Sequence, residues 1–126
     1  LVADGLSLII FAEGTRSWDG HVARFKAGSF LLAIEAGLPV VPLAVIGTRQ
    51  VMPKGRLQTE PADVMLIVHD PIVVTPGVTP SVDDAKALAD QVHAIVAREV
   101  EARQFSTPSH PFAGPPVPRR ATGDRR

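Results

Sequence analysis

The sequence predicts an α/β domain, with a largely parallel or mixed sheet of about four strands and flanking helices. Three observations carry this prediction. A short apolar run, Leu6-Ser7-Leu8-Ile9-Ile10-Phe11, precedes a helix-length apolar stretch from about Lys26 to Ala36, and a second apolar run follows from Val40 to Ile46. Strand, helix and strand in that order form a βαβ unit, which implies a parallel pair and a right-handed crossover. Further along, Val82, Ala85, Leu88, Ala89, Val92, Ile95, Val96 and Val100 recur with the spacing of one helix face.

The first run is apolar almost throughout, as suits a strand buried on both faces. Residues 12–25 form a loop containing Gly14, Asp19 and Gly20. The next stretch is apolar nearly all round, which predicts a helix packed in a core. Gly37 suits the position just past its end, and Pro39 prevents continuation. In the second run Pro42 cannot donate to a ladder, so it marks a bulge, an edge or the start of a strand. Residues 47–62, with Gly47, Pro53, Gly55 and Pro61, read as an excursion. Val64 to Val68 predicts a third strand, and Ile72 to Val74 a fourth after the Asp70-Pro71 break. Pro76, Gly77 and Pro80 mark the next turn. The final helix takes Thr79 as cap and Pro80 at its first position, with Asp83 and Asp84 at the positive end and Arg98 and Arg103 at the other. Residues 1–103 make up the domain; 104–126 are rich in Pro and Arg, bury little and are expected to be disordered.

With 126 residues, 45% of them hydrophobic, the chain can support one core. No window approaches the roughly 18 consecutive apolar residues of a spanning helix. There is no cysteine, which excludes disulfides and thiolate chemistry. Formal net charge is zero, against a dedicated nucleic-acid binder. The charge is unevenly spread: nine Lys and Arg face twelve Asp and Glu in residues 1–103, whereas four Arg face Asp124 in the tail. A basic tail of that kind could touch an anionic membrane surface. Ten Arg against three Lys fits a GC-rich bacterial gene. The chain opens at Leu1, and Leu1-Val2-Ala3-Asp4-Gly5 reads like the end of a helix, so it is expected to be the C-terminal part of a longer protein.

The candidate site is the loop after the first run, Phe11-Ala12-Glu13-Gly14-Thr15-Arg16-Ser17. Ligands gather outside the carboxyl ends of strands in open α/β sheets. Arg16 carries a planar fork of donors that matches phosphate oxygens. Lys26 adds a point-like charge near a helix start, where backbone N–H groups also face an anion. Gly14 permits close backbone approach, and Thr15 and Ser17 supply hydroxyls. The plainer alternative pairs Arg16 with Glu13 or Asp19 and makes it a loop pin. Glu13 itself could be a general base, a positioning acid or a structural acceptor. His21 reads as an exposed loop residue, His69 and His93 as structural or solvated, and Arg49 as a solvated surface charge.

Glu13-Gly14-Thr15-Arg16-Ser17, then Phe25-Lys26-Ala27-Gly28, then Leu38-Pro39-Val40-Val41-Pro42, resemble in order and spacing the glycerolipid acyltransferases, the family of 1-acylglycerol-3-phosphate acyltransferase. The resemblance covers about residues 1–103 and departs at Ala12, where the family has Pro. It implies a partial glycerol-3-phosphate acyltransferase-like domain. The implied reaction moves a fatty acyl group from acyl-CoA or acyl carrier protein to a lysophospholipid hydroxyl, most simply lysophosphatidic acid giving phosphatidic acid. Glu13, Gly14, Thr15, Arg16, Ser17 and Lys26 become the expected substrate-binding set, with no metal or cofactor beyond the acyl thioester. The cytoplasmic face of the cell membrane is the expected place. The family's catalytic His, followed five positions later by Asp, is not found: the residues five beyond His21, His69, His93 and His110 are Lys26, Val74, Arg98 and Pro115. The resemblance therefore puts the base upstream. A catalytically vestigial module that binds anionic lipid, or an acyltransferase acting on glycerol 3-phosphate or a glycolipid, is the alternative.

Overall fold

The computed structural model describes residues 5, 7–52, 55, 57–59, 61–75 and 80–104. Of the expected tail, 104–126, Gln104 belongs to the last helix and residues 105–126 lie outside the described residues, as does the expected cap Thr79. In chain order the elements are α1 (Ala27–Ala36), β1 (Leu43–Ile46), α2 (Thr48–Val51), β2 (Met65–Val68) and α3 (Val82–Gln104).

Helix α1 ends where the sequence places its end. The Gly37 N–H donates to the Ile34 carbonyl and the Leu38 N–H to that of Ala33, at 3.1 and 3.0 Å. This paired closure requires a left-handed residue past the last turn, and Gly37 adopts it at φ 63°. The expectation that α1 is packed all round does not hold: only Phe30 is buried, while Leu32 is exposed.

The sheet differs from the predicted one. β1 and β2 pair antiparallel, Leu43 opposite Val68 and Ile46 opposite Met65. The physical reason lies in the connection. Among its described residues the only helix is the four-residue α2, too short for the packed crossover that a parallel pair needs. The expected fourth strand is a continuation of β2. Val40 bridges Ile72, so Val41 and Pro42 face three residues, His69, Asp70 and Pro71. That two-against-three count is a β-bulge. Pro42, which cannot donate, is buried beside it and accepts the His69 N–H at 3.0 Å. The apolar run before the loop is not a ladder strand among the described residues. Leu8, Ile9, Ile10 and Phe11 are exposed, and no described residue pairs with this run in a ladder.

Helix α3 supplies most of the core. Ala85, Leu88, Ala89, Val92, Val96 and Val100 are buried along one face, against Phe30 of α1 and Ala44 and Ile46 of β1. Val82 is exposed and Ile95 only half-buried, so the buried stripe is narrower than the sequence pattern. The helix begins at Val82, not at Pro80. Ser81 is its cap: Oγ accepts the Asp84 N–H at 3.1 Å and donates to the Asp84 carboxylate at 2.7 Å, while the Ser81 N–H reaches that carboxylate at 3.3 Å. This is a capping box with Asp in the place of Glu. At the far end Arg103 pairs with Glu99 one turn back, at 3.0 Å, and holds the Glu99 carboxyl below its ordinary pKa.

Candidate functional site

The motif loop begins with a tight turn. The Gly14 N–H donates to the Phe11 carbonyl at 3.0 Å, and Gly14 takes φ 71°, a backbone state that side chains disfavour. A Cβ on Gly14 would lie 2.8 Å from Nζ of Lys26, so the ammonium rests directly on this glycine. The Lys26 N–H in turn donates to the Ala12 carbonyl at 3.0 Å. Lys26 thereby joins the motif at the N-terminus of α1, a terminus with no side-chain cap and no acid in its first turn.

The remainder of the loop folds back on itself. Oε2 of Glu13 accepts the Ala23 N–H at 2.9 Å, across ten residues. Of the three roles open to Glu13, the structure displays that of a structural acceptor. Asp19 accepts the His21 N–H at 3.0 Å, and this bond lowers its carboxyl pKa. Between these closures is a cleft of about 380 Å³, lined by Thr15, Arg16, Ser17, Trp18, Asp19, His21, Val22 and Ala23. Arg16 and the two hydroxyl residues therefore share one concave surface. Glu13, Gly14 and Lys26, the rest of the expected binding set, are not among the residues that line it.

Two residues that the sequence leaves as bystanders are part of this architecture. Arg49, on the short helix α2, donates from Nη1 to the Asp19 carbonyl at 3.1 Å and from Nη2 to that of Trp18 at 2.9 Å. Its planar fork fits two successive carbonyls, which a lysine could not match. His93, on α3, places Nε2 3.0 Å from the Val22 carbonyl and meets the Phe25 ring edge-on. No local pattern marks either residue, because the partners are 30 and 71 positions away.

Residues 1–46 match the family model described as Acyltransferase. The chain is 45% identical over 73 residues to the 1-acyl-sn-glycerol-3-phosphate acyltransferase BAT2, chloroplastic, of Brassica napus, across 57% of this chain and 21% of that one. It is 35% identical over 99 residues to the 1-acyl-sn-glycerol-3-phosphate acyltransferase of Limnanthes alba, across 79% and 34% respectively. Among solved structures, the 1-acyl-sn-glycerophosphate (LPA) acyltransferase PlsC of Thermotoga maritima superposes with a TM-score of 0.64 at 38% identity, covering 76% of this chain and 38% of that one. The chain thus spans between a fifth and two-fifths of the length of these relatives. Over residues 1–46 the chain is thus similar to the Acyltransferase family model, and over 76% of its length it shares the fold of a solved LPA acyltransferase.

Proposed function

We propose that this chain is the phosphate-holding part of an O-acyltransferase that converts lysophosphatidic acid to phosphatidic acid. The carrying observation is the placement of Arg16 with Thr15 and Ser17 in one cleft, with the Lys26 ammonium resting on Gly14 of the same loop. A phosphomonoester meets a bidentate donor and two hydroxyls there, with the Lys26 charge held against Gly14 of the same loop. In the reaction the acceptor hydroxyl attacks the thioester carbonyl of acyl-CoA or acyl carrier protein. A new C–O bond forms, the C–S bond breaks, and the proton leaves through a general base to the departing thiolate. Since none of the four histidines here is followed by Asp at the family's spacing, that base comes from residues outside these 126. The reaction needs no metal and no prosthetic group. Its substrate is a lipid, and we place it at the cytoplasmic face of a membrane; no helix among the described residues is long and apolar enough to cross one.

The test is kinetic, on an active polypeptide containing this chain. Arg16→Ala should raise KM for the phosphorylated acceptor by the equivalent of about 2–4 kcal/mol and leave KM for the acyl donor nearly unchanged. Arg16→Lys should recover only part of the loss. An unchanged acceptor KM with a poorer folding yield would return Arg16 to the role of loop pin. The lack of a His/Asp pair within these residues favours one other reading, a catalytically vestigial module that binds anionic lipid. A full-length polypeptide that binds lysophosphatidic acid but releases no thiol from acyl-CoA or acyl carrier protein would establish it. Turnover on glycerol 3-phosphate or a glycolipid in preference would instead change the acceptor.

A further inference from the structure

A single amide in the motif loop is held from both ends. The Val22 carbonyl lies 3.0 Å from Nε2 of His93, and the Ala23 N–H, the other half of the same peptide unit, donates to Glu13 at 2.9 Å. A carbonyl oxygen only accepts, so Nε2 of His93 carries the proton and donates it. The imidazole is fixed independently. Its ring meets Phe25 edge-on with centroids 5.2 Å apart, and Phe25 stacks on the buried Phe30 at 6.3 Å. The neighbours of His93 on the packed side of α3, Ala89, Val92 and Val96, are buried and apolar. Packing alone would be served there by leucine; the polar nitrogen is accounted for by the loop.

We propose that His93 is a positioning residue which, together with Glu13, locks the Val22–Ala23 peptide into the wall of the cleft that Arg16 lines. The two bonds reinforce each other, since donation to a carbonyl polarises the amide and strengthens its N–H as a donor. The α3 helix thereby gauges the distance between the core and the cleft wall. The consequence for ligand binding rests on the phosphate reading of Arg16; the lock itself does not.

Trp18, which lines the same cleft, is the only tryptophan in the chain, so its emission reports on that site alone. The experiment follows Ala23 amide exchange by NMR and titrates glycerol 3-phosphate against Trp18 emission, on the 126-residue chain and two variants. In His93→Leu, Ala23 exchange should accelerate and affinity should weaken, each about three- to tenfold, as for one lost hydrogen bond. His93→Gln keeps an N–H donor and should restore both. Unchanged exchange in His93→Leu, or no recovery in His93→Gln, overturns the lock. Should His93→Leu fail to fold, the imidazole nitrogen spectrum of the wild-type chain at alkaline pH decides: His93 should be the Nε2–H tautomer, and a dominant Nδ1–H form overturns the proposal. No Trp18 response in the wild-type chain, with Ala23 exchange behaving as expected, refutes phosphate binding and leaves the lock standing.

Discussion

At Gly47 conformation and space act together. The backbone takes φ 93°, and a Cβ would collide with the Asp63 carbonyl, a backbone atom that cannot swing aside. Gly47→Ala should therefore cost about 2 kcal/mol or more and lower the thermal midpoint by roughly 10 °C. Gly28 is the counter-case: it lies inside α1 with nothing within 4 Å of the position of a Cβ. Gly28→Ala should raise stability by about 0.5–1 kcal/mol, measurable by urea titration. A gain in stability accompanied by weaker binding of glycerol 3-phosphate would show that the empty space belongs to the ligand. Asp19 makes a pH-dependent contribution of known sign. The His21 N–H lowers its folded pKa, so the turn is fully held above the ordinary carboxylate pKa of about 4 and is released as pH falls through the lower folded value. Trp18 emission should report that release, and an acid transition centred above the ordinary value would reverse the assignment.

Among the elements, α3 owes its start to Ser81 and its position to one apolar stripe. Ser81→Ala removes both side-chain bonds of the capping box and should destabilise the chain by about 1 kcal/mol, whereas Val82→Ala, at an exposed site, should change the midpoint little. This helix was legible in the sequence because its periodicity is local. The end of α1 was legible for a similar reason, since Gly37 carries the closing conformation itself. Sheet direction was not legible. Apolar runs from Val40 to Ile46 and from Val64 to Val74 state that strands exist, but apolar composition is the same in parallel and antiparallel pairs, and the pairing here is antiparallel. The Asp70-Pro71 break looked like the gap between two strands and is a bulge within one ladder, a difference set by the partner strand. The run ending at Phe11 was read as buried from composition alone, yet burial depends on what lies alongside. In the candidate site the sequence placed Arg16, Thr15 and Ser17 in one loop, and the structure brings all three to one cleft. Arg49 and His93 were hidden, because their partners come from distant parts of the chain.

On the scale of the whole molecule, the 126 residues hold the cleft lined by Thr15, Arg16 and Ser17 and no His/Asp pair at the family's spacing. The chain by itself should give no thiol release from acyl-CoA above a blank with lysophosphatidic acid present, while its Trp18 emission should still respond to glycerol 3-phosphate. Release well above the blank would locate the base among His21, His69, His93 and His110. The two-stranded sheet has a further physical consequence. Ala44, Ile46 and Ile67 face the core, whereas the cross-strand pairs Leu43 with Val68 and Val45 with Leu66 form an exposed apolar face on the other side. The calculated isoelectric point is about 7.1, so near neutral pH no net charge keeps two such faces apart. Colloidal stability should accordingly pass through a minimum near neutrality. Light scattering should show particle size falling as pH is moved about two units either way at low ionic strength, and rising again when salt screens the acquired charge.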